Sequence, residues 1–281
     1  MDTSAGSGQP MFKSIFAPVP DLDQAAYERM AQQVRTLLGI DLSQYKPAQV
    51  WRRVHGFASA RGLADVDALL ARSRTDAVLR QAFMDMLTIN VSEFFRNPEA
   101  WDVLAASHLR PMLTSQASVR IWSAGCSLGY EAFTLAMLCR EVAPKTAVKI
   151  LATDLDDTTL AKARLGVYTE QQMAGVSPAR RSRFWRQAGT SWEADADLKG
   201  MITWRRHDLL RDPHEKGFDL VVCRNVVIYF TEQAKAELYS RFLAALRPGG
   251  VLFLGATEAI TNVRASGFVP AGLTFYRKPT L

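Results

Sequence analysis

Apolar residues recur at helical spacing through the first third of the chain. Tyr27, Val34 and Leu38 fall on one helical face, and Gly39 follows them as a helix end. The spacing predicts three further helices from shorter amphipathic runs: Val50, Val54 and Phe57, ending near Gly62; Val66, Leu69 and Leu70; and Leu79, Phe83, Met86 and Leu87. Residues 21–90 are therefore expected to form an all-helical N-terminal domain.

From Ser118 onward the pattern changes to short β-rich runs that alternate with helices. The five runs are 119–123, 149–153, 202–205, 219–223 and 251–254. Alternation of this kind is typical of a parallel sheet with helices on both faces, which is the α/β class. We expect this domain to extend over residues 118–281.

Three segments fit neither pattern. Residues 1–20 mix Ser, Gly and Pro with few apolar side chains, and we expect a flexible leader there. Residues 91–117 are expected to connect the two domains and to hold a further helix around Trp101 to Leu113. Residues 187–199 are polar and irregular, which indicates an excursion from the sheet and allows a small antiparallel piece.

The composition is typical of a soluble globular protein. Of the 281 residues, 48% are hydrophobic and 22% are charged. The most apolar window, Ala132 to Val142, contains Arg140 and Glu141, which argues against a membrane span. The first ten residues do not resemble a signal peptide. The three cysteines form no C-x-x-C pair, so a reducing cytoplasm is expected and no metal site is indicated.

Two runs of residues without acids contain much of the basic charge. One is 46–64, which holds Arg52, Arg53 and Arg61, and the other is 177–186. Such runs are either solvated helix faces or docking faces for an acidic partner. The chain shows no basic platform interleaved with aromatic residues, so nucleic-acid binding is not expected.

Two features follow the first two predicted strands. The run 123–129 turns through Gly125 and Gly129 and opens a helix, as nucleotide-binding turns do, although glycines also serve purely structural turns here. The second strand ends at Asp154, whose carboxylate can accept hydrogen bonds from two ribose hydroxyls; the alternative is a cap on the next helix. Without a P-loop lysine, the pair of features favours S-adenosylmethionine, which has a ribose and no phosphates.

A third feature ends the fourth predicted strand. The run 223–230 reads Cys-Arg-Asn-Val-Val-Ile-Tyr-Phe. Methyltransferases that act on amino nitrogens commonly carry an Asn/Asp-Pro-Pro-aromatic run at this place, and its carbonyls accept hydrogen bonds from the attacking NH₂. This run has no proline, so an amine acceptor is not favoured.

These blocks together resemble the chemotaxis receptor methyltransferases, called CheR. The matching blocks are 87–96 (Leu-Thr-Ile-Asn-Val-Ser-Glu-Phe-Phe-Arg), the glycine turn through Glu131, 152–156 with Ala161, Arg164, Gly166 and Tyr168, and 218–230 with 247–250. They occur in the family's order along nearly the whole chain. The resemblance implies a helical N-terminal domain, a Rossmann-like methyltransferase domain that uses S-adenosylmethionine, and a small β-subdomain inserted at 187–203.

The resemblance also implies a reaction. Members of this family methylate glutamate side chains on the cytoplasmic helices of chemoreceptors, forming γ-glutamyl methyl esters and S-adenosylhomocysteine. A glutamate carboxylate, with a pKa of ~4.3, is ionised at neutral pH, so it needs in-line positioning more than a strong base. We expect a cytoplasmic monomer without a metal, without nucleic acid as partner and without insertion into a membrane.

The family's motifs carry individual site residues over to this chain. The cofactor site is expected to contain Asn90, Ser92, Arg96, Gly125, Glu131, Asp154, Asp208, Leu209, Arg224 and Asn225. Arg96 and Tyr229 are expected to orient the incoming carboxylate, with a packed core tyrosine as the alternative for Tyr229. Arg52, Arg53 and Arg61 are expected to steer an acidic receptor helix toward the N-terminal domain.

The chain departs from the family pattern at three places. Tyr130 and Glu131 stand where a pair of acids is usual, which leaves Glu131 for the cofactor and allows Tyr130 to reshape the pocket. Asp208 stands where Asn is common, and the stretch 187–203 is shorter than in members that bind a receptor tail peptide, so tail binding is not expected. Two other functions stay open: a methyltransferase for a different substrate, and a non-catalytic signalling module that binds the cofactor.

Overall fold

The computed structural model describes residues 20–88 and 92–280. These residues divide into two compact units. The helical unit comprises residues 20–43 and 47–87, and the α/β unit comprises residues 44–46, 88 and 92–280. The predicted leader lies outside the described residues except for Pro20.

The helical unit forms where the apolar spacing predicts it. Its helices are α1 (Gln24–Leu38), α2 (Pro47–Ala60), α3 (Val66–Thr75) and α4 (Ala77–Thr88), and a 3₁₀ turn covers Leu42–Gln44. The Asp23 side chain caps the start of α1, and Gly39 ends this helix with a φ of 74°. The apolar stripes of the helices bury Val34, Leu69 and Phe83 completely, which forms the core of this unit.

The α/β unit is built on a large sheet and a small sheet. The strands are β1 (Ser118–Ala124), β2 (Ala147–Asp154), β3 (Val167–Thr169), β4 (Trp185–Ala188), β5 (Ser191–Ala194), β6 (Ile202–Arg206), β7 (Phe218–Cys223), β8 (Leu246–Leu254), β9 (Val269–Pro270) and β10 (Phe275–Arg277). The large sheet has the order β6-β2-β1-β7-β8-β10-β9. Its first five strands are parallel and match the five predicted runs, whereas β10 and β9 add an antiparallel edge that the sequence did not predict.

Helices pack on both faces of the large sheet. The helices of this unit are α5 (Pro98–Val103), α6 (Arg110–Ser115), α7 (Tyr130–Val142), α8 (Asp157–Leu165), α9 (Pro178–Phe184), α10 (Ala196–Gly200), α11 (Glu232–Ala245) and α12 (Val263–Ser266). Ile121 of β1 belongs to the core that contains Phe133 of α7, and its neighbour Trp122 belongs to the core that contains Phe242 of α11. Consecutive strand residues point to opposite faces, so both faces are buried. None of the helices in the described residues is long and apolar enough to span a membrane.

The segment 91–117, expected to connect the two domains, belongs to the α/β unit over its described residues 92–117. Helices α5 and α6 are joined by a π-helical turn over Leu104–Leu109, and together they cover the predicted helix around Trp101 to Leu113. Trp101, Leu104 and Leu113 are buried in the same core as Ile121. Because this apolar face packs into the core, the segment is a structural layer and not a linker.

The small sheet begins and ends earlier than the predicted insertion at 187–203. Strands β3, β5 and β4 pair antiparallel in that order, so the small sheet extends over residues 167–194. The predicted range misses β3, which lies before α9 in the chain, and it includes the start of β6, which pairs with β2 in the large sheet. An antiparallel sheet lies in this part of the chain, and its bounds differ from the expected 187–203 at the first strand because β3, only three residues long, shows no periodicity in the sequence.

Candidate functional site

The carboxyl ends of the parallel strands meet at one edge of the large sheet, here called the carboxyl edge. It consists of the loops after β1, β2, β6, β7 and β8, together with residues 92–97. Four non-glycine residues in the described part of the chain have a positive φ, and all lie in these loops: Phe95 (53°), Asn97 (57°), Ser127 (48°) and Asn225 (60°). Such conformations are uncommon and cluster at functional sites. In open α/β sheets, ligands bind at this edge.

The glycine turn after β1 is tied to its neighbours on both sides. Gly125 has a φ of 80°, and its N–H donates to the Thr153 carbonyl of β2 at 2.8 Å. A Cβ atom at position 125 would lie 2.6 Å from Cγ2 of Val226, in the loop after β7. The fold itself therefore requires glycine here, which supports the structural reading of this residue, and any contact with a cofactor comes in addition.

Asp154 ends β2 and is almost fully buried at the carboxyl edge. Its Oδ2 accepts the Ser127 N–H at 2.8 Å, and its Oδ1 accepts the Asp156 N–H at 3.1 Å. The N-cap of α8 is Asp156, not Asp154, so the helix-cap alternative does not apply. Burial raises the pKa of Asp154, while hydrogen bonds from the backbone N–H groups of Asp156 and Ser127 oppose the shift.

Glu131 lies in the first turn of α7 and is only partly exposed. The Ser123 hydroxyl donates to its Oε1 at 2.6 Å. Burial raises the pKa of Glu131 to about 7, although the Ser123 hydrogen bond and the Arg224 charge act in the opposite direction. This carboxylate is therefore poised between its two protonation states at neutral pH, and a bound cation would favour the charged form.

Arg224 follows β7 and is only 8% exposed. Its Nη2 donates to Oδ1 of Asn97 at 3.1 Å, and its guanidinium lies over the rings of Trp101 and Phe253 at 5.0 and 4.7 Å. Burial lowers the pKa of Arg224, and the nearby carboxylate of Glu131 counteracts this. Arg224 thus joins the strained segment around Asn97 to the loop after β7.

Glu258 is a residue of the carboxyl edge that the sequence prediction missed. It is 2% exposed, and its carboxylate accepts the N–H groups of Asn225 (2.6 Å), Val227 (2.9 Å) and Gly255 (2.8 Å). Burial raises the pKa of Glu258, and these backbone N–H groups oppose the shift. The available signal was an acid four residues after Leu254, where a buried strand ends; it identifies no partner, since Asn225 and Val227 lie more than thirty residues earlier.

The 92–97 segment places two predicted cofactor residues at the carboxyl edge. Arg96 keeps 35% of its side chain exposed, and its Nε lies 3.8 Å from Oε1 of Glu93. The Arg96 charge contributes to lowering the pKa of Arg224, so the two guanidinium groups lie near one another. Ser92 is partly buried, and Asn90 lies outside the described residues.

Tyr229 lies in the 3₁₀ turn Val227–Tyr229 and is partly buried. Its ring packs against the core around Phe242, and its carbonyl accepts the Lys46 N–H at 3.0 Å. The alternative of a packed tyrosine therefore holds for part of the side chain. Its remaining exposure leaves room for a role toward substrate.

Asp208 and Leu209 follow β6, beside the end of β2. The His207 N–H donates to the Asp154 carbonyl at 2.9 Å, which fixes this loop at the carboxyl edge. Oδ1 of Asp208 accepts the Leu210 N–H at 2.9 Å, whereas Leu209 is buried in the core. The side-chain oxygen of Asn, common in the family here, can accept the same bond. The change to Asp therefore preserves the local turn.

Tyr130, which replaces a usual acid, is buried in an aromatic cluster. Its ring lies 4.8 Å from Phe94 and 5.0 Å from Tyr168, measured between centroids. Burial raises the pKa of its hydroxyl. This departure from the family pattern is thus accommodated within the apolar core.

The three basic residues of the first run lie in different settings within the helical unit. Arg52 is exposed on α2. Arg53 is partly buried and donates to the carbonyl of Met86. Arg61 follows the end of α2 and stacks over the Phe57 ring at 4.6 Å. The side chains of Arg52 and Arg61 are exposed to solvent, whereas the Arg53 guanidinium is bonded within the helical unit.

The second basic run is largely neutralised by ion pairs. Arg180 binds Glu141 at 2.8 Å, Arg181 binds Glu170, and Arg186 binds Glu193 at 2.7 Å. These pairs favour the reading of a solvated, internally paired surface over a docking face.

The groups at the carboxyl edge fit the cofactor expected from the sequence. Oδ2 of Asp154 accepts the Ser127 N–H and Oδ1 accepts the Asp156 N–H, and the oxygens of a carboxylate have further lone pairs that can accept from ribose hydroxyls. Glu131 supplies a carboxylate that a cationic ligand would hold in its charged form. In the described residues, no group of three or more His, Cys, Asp or Glu is arranged to hold a metal ion.

Two family models match the chain. The one described as "CheR methyltransferase, all-alpha domain" matches residues 25–88, and the one described as "CheR methyltransferase, SAM binding domain" matches residues 90–271. Together they cover both structural units.

Curated relatives match over nearly the full length. A protein named "Chemotaxis protein methyltransferase" from Listeria monocytogenes is 39% identical over 261 residues, which is 92% of this chain and 99% of the relative. Its namesake from Listeria innocua is 38% identical over the same shares. Among solved structures, an S-adenosylmethionine dependent methyltransferase from Mesorhizobium loti aligns with a TM-score of 0.30 and 24% identity, over 52% of this chain and 50% of that one.

Proposed function

This chain belongs to the CheR methyltransferase family, and on that premise we propose that it methylates glutamate side chains on the cytoplasmic helices of chemoreceptors. Family membership makes it an S-adenosylmethionine-dependent methyltransferase of chemotaxis. The glutamate acceptor and the γ-glutamyl methyl ester product are our proposal. The observation that supports it most is the carboxyl edge, which has carboxylates for a cationic cofactor and a partly exposed arginine for an anionic substrate.

We assign the cofactor to the carboxyl edge. S-adenosylmethionine supplies an electrophilic methyl group on a positively charged sulfur. In this assignment the Asp154 carboxylate accepts hydrogen bonds from the ribose hydroxyls. Glu131 lies toward the positively charged sulfur. Asp208 and Leu209 line the adenine end, while Asn90 and Ser92 complete the site from the 87–96 block.

We assign the orientation of the substrate carboxylate to Arg96 and Tyr229. A glutamate carboxylate is already ionised at neutral pH, so the chain has no proton to remove before methylation. Arg96 is exposed enough to reach a substrate, and its planar fork binds a carboxylate at two points. Arg224 is unsuited to this role, because it is buried and bonded to Asn97. The substrate loses its negative charge on becoming an ester, which weakens its hold on Arg96 and favours release.

We assign receptor docking to Arg52 and Arg61 of the helical unit. Receptor helices that are rich in Glu carry the opposite charge, so exposed arginines would speed and orient their approach. Arg53, which the sequence placed in the same group, is excluded from this role by its bond to Met86. The acceptor helices lie in the cytoplasm, so the enzyme is proposed to act there, as a monomer.

The docking assignment is tested by charge reversal. Arg52→Glu should raise the KM for a receptor cytoplasmic fragment by about fivefold at low salt, and added salt should reduce the difference. Arg29→Glu changes the net charge equally at another exposed site in the helical unit and is the matched control. Equal effects of the two variants would contradict a specific docking role for Arg52.

The acceptor is tested by mapping the modified residue. The protein is incubated with S-adenosylmethionine and a receptor cytoplasmic fragment, and the peptides are analysed by mass spectrometry. We expect methyl groups on glutamate side chains and none on a fragment whose modified glutamates are changed to alanine. Methyl groups on nitrogen would contradict the glutamate assignment. Tight cofactor binding without transfer to any receptor of the same organism would favour the non-catalytic reading.

A further inference from the structure

We propose that Glu258 is a positioning residue of the carboxyl edge: its buried carboxylate fixes the loop of residues 224–229 in the conformation that binds cofactor and substrate. The part concerning substrate rests on the proposed function. The part concerning cofactor rests on the assignment of the cofactor to the carboxyl edge and on the hydrogen bonds that Glu258 makes with the loop.

The carboxylate of Glu258 binds the ends of two neighbouring strands together. Its Oε2 accepts the N–H of Asn225 at 2.6 Å, just after β7, and the N–H of Gly255 at 2.8 Å, just after β8. Its Oε1 accepts the N–H of Val227 at 2.9 Å. Three backbone donors therefore depend on one side chain, and leaving a buried donor unpaired is costly.

The surroundings of Glu258 allow little change of side chain or position. A Cβ atom on residue 255 would lie 2.3 Å from Oε2 of Glu258, so only glycine permits this approach. The Tyr239 hydroxyl donates to the Glu258 carbonyl at 3.3 Å and holds its backbone from the side of α11. Asn225, one of the bonded residues, has a φ of 60°, so its strained conformation coincides with this anchor.

The loop that Glu258 holds contacts the glycine turn and acts on Glu131, which are two parts of the proposed cofactor site. Val226 lies between two residues that Glu258 holds, and its side chain occupies the space above Gly125 of the glycine turn. Arg224 directly precedes the anchor, and its charge acts on Glu131 of α7. A displaced loop would therefore disturb the glycine turn and the Glu131 carboxylate together.

A carboxylate suits this position better than the amide of nearly equal size. All three partners are N–H donors, so both side-chain oxygens must accept. In Glu258→Gln, an NH₂ group replaces one oxygen and faces at least one donor, which removes one or two of the bonds. Glu258→Asp keeps the charge and both acceptors on a shorter side chain.

The test compares Glu258→Gln with Glu258→Asp and with Glu237→Gln, a control on an exposed glutamate of α11. Calorimetry with S-adenosylhomocysteine should show about 10-fold to 100-fold weaker binding for Glu258→Gln, partial recovery for Glu258→Asp, and no change for Glu237→Gln. In methylation assays, Glu258→Gln should lower kcat and raise the KM for S-adenosylmethionine. A merely structural role would reduce the amount of folded protein and leave the affinity of the folded fraction unchanged, and that result would overturn the proposal.

A measurement on the unaltered protein covers the case in which Glu258→Gln does not fold. Hydrogen exchange should show the amides of Asn225, Val227 and Gly255 strongly protected and exchanging together, because one side chain holds all three. Fast or independent exchange would contradict the anchor. Both the calorimetry and the exchange experiment need no receptor, so failure of the glutamate assignment would be seen as absent methyl transfer with these two results intact.

Discussion

The carboxyl edge of the large sheet and the small sheet treat charged side chains in opposite ways. At the carboxyl edge, burial raises the pKa values of Glu131 and Glu258. In the small sheet, Glu193 is bonded to Lys199 at 2.8 Å and to Arg186 at 2.7 Å, and these partners lower its pKa. The carboxyl edge contains buried carboxylates, whose ionisation is unfavourable, whereas the small sheet pairs its carboxylate with basic side chains at the surface.

The backbone shows the same contrast. All four positive-φ residues other than glycine in the described chain lie at the carboxyl edge, and Asn97 and Asn225 are among them. The small sheet has a tight turn at Gly189, where glycine adopts the positive φ without strain. Buried charge and unusual backbone both cost stability, and binding sites commonly carry such costs. The difference therefore supports our assignment of the cofactor to the carboxyl edge.

Removing the proposed ribose acceptor should have the largest effect on binding. Asp154→Ala removes the carboxylate that would hold two hydroxyls, so S-adenosylhomocysteine should bind about 100-fold more weakly in calorimetry. Asp157→Ala, an exposed neighbour in the first turn of α8, is the control and should bind normally. Unchanged affinity in Asp154→Ala would remove Asp154 from the ribose role.

Changes at the substrate-orienting residues should affect turnover more than cofactor binding. Arg96→Ala and Tyr229→Phe should each lower kcat by about 10-fold or more, because a misplaced carboxylate reacts slowly. Their affinities for S-adenosylhomocysteine should change by less than about threefold, since the assigned ribose acceptor remains. The reverse ranking, with affinity lost and turnover kept, would contradict their assigned role.

Neutralising Glu131 should change how stability depends on pH. Its pKa is raised from 4.5 to about 7, so the folded state binds this proton more tightly than the unfolded chain does. The contribution of this group to stability is complete below about pH 4.5 and is lost as pH rises through about 7. The melting temperature of Glu131→Gln relative to the unaltered protein should therefore increase between about pH 5 and about pH 8.

The small sheet provides the control for this pH experiment. The pKa of Glu193 is lowered from 4.5, so its contribution is present above that value and is lost only as pH falls through the folded pKa. The difference in melting temperature for Glu193→Gln should stay constant between about pH 5 and about pH 8. A parallel response of the two variants would contradict the contrast between the regions.

The smallest effect is expected from the surface pairs. Arg186 is 74% exposed, so Arg186→Ala should shift the melting temperature by less than about 3 °C and leave cofactor affinity unchanged. Differential scanning calorimetry and a binding titration measure both quantities. A large loss of affinity would show that the small sheet contributes to the cofactor site.

Local patterns in the sequence predicted most elements of the fold. The four helices of the helical unit show apolar residues at helical spacing, and the five parallel strands are short β-rich runs. Both patterns can be recognised from neighbouring residues alone. The short strands β9 (Val269–Pro270) and β10 (Phe275–Arg277) were missed because two or three residues show no periodicity. Residues 91–117 were taken for a connection because two packing partners of the segment, Phe253 against Trp101 and Phe275 against His108, lie far along the chain.

The site was predicted less completely, for a related physical reason. Asp154 could be predicted because it ends a strand, and Glu131 could be predicted because it follows the glycine turn after β1. Asn97 and Glu258 act through partners 127 and 33 residues away, Arg224 and Asn225, and no local pattern indicates such bonds. Arg53 was placed in a docking group by charge alone, which does not reveal its bond to Met86.

The central claim, that the carboxyl edge is the binding region, is tested most directly by hydrogen exchange with and without S-adenosylhomocysteine. We predict slower exchange on binding in residues 92–97, 125–131 and 224–229, and unchanged exchange in the small sheet at 185–194. Protection confined to the small sheet, or equal protection in both regions, would contradict the account.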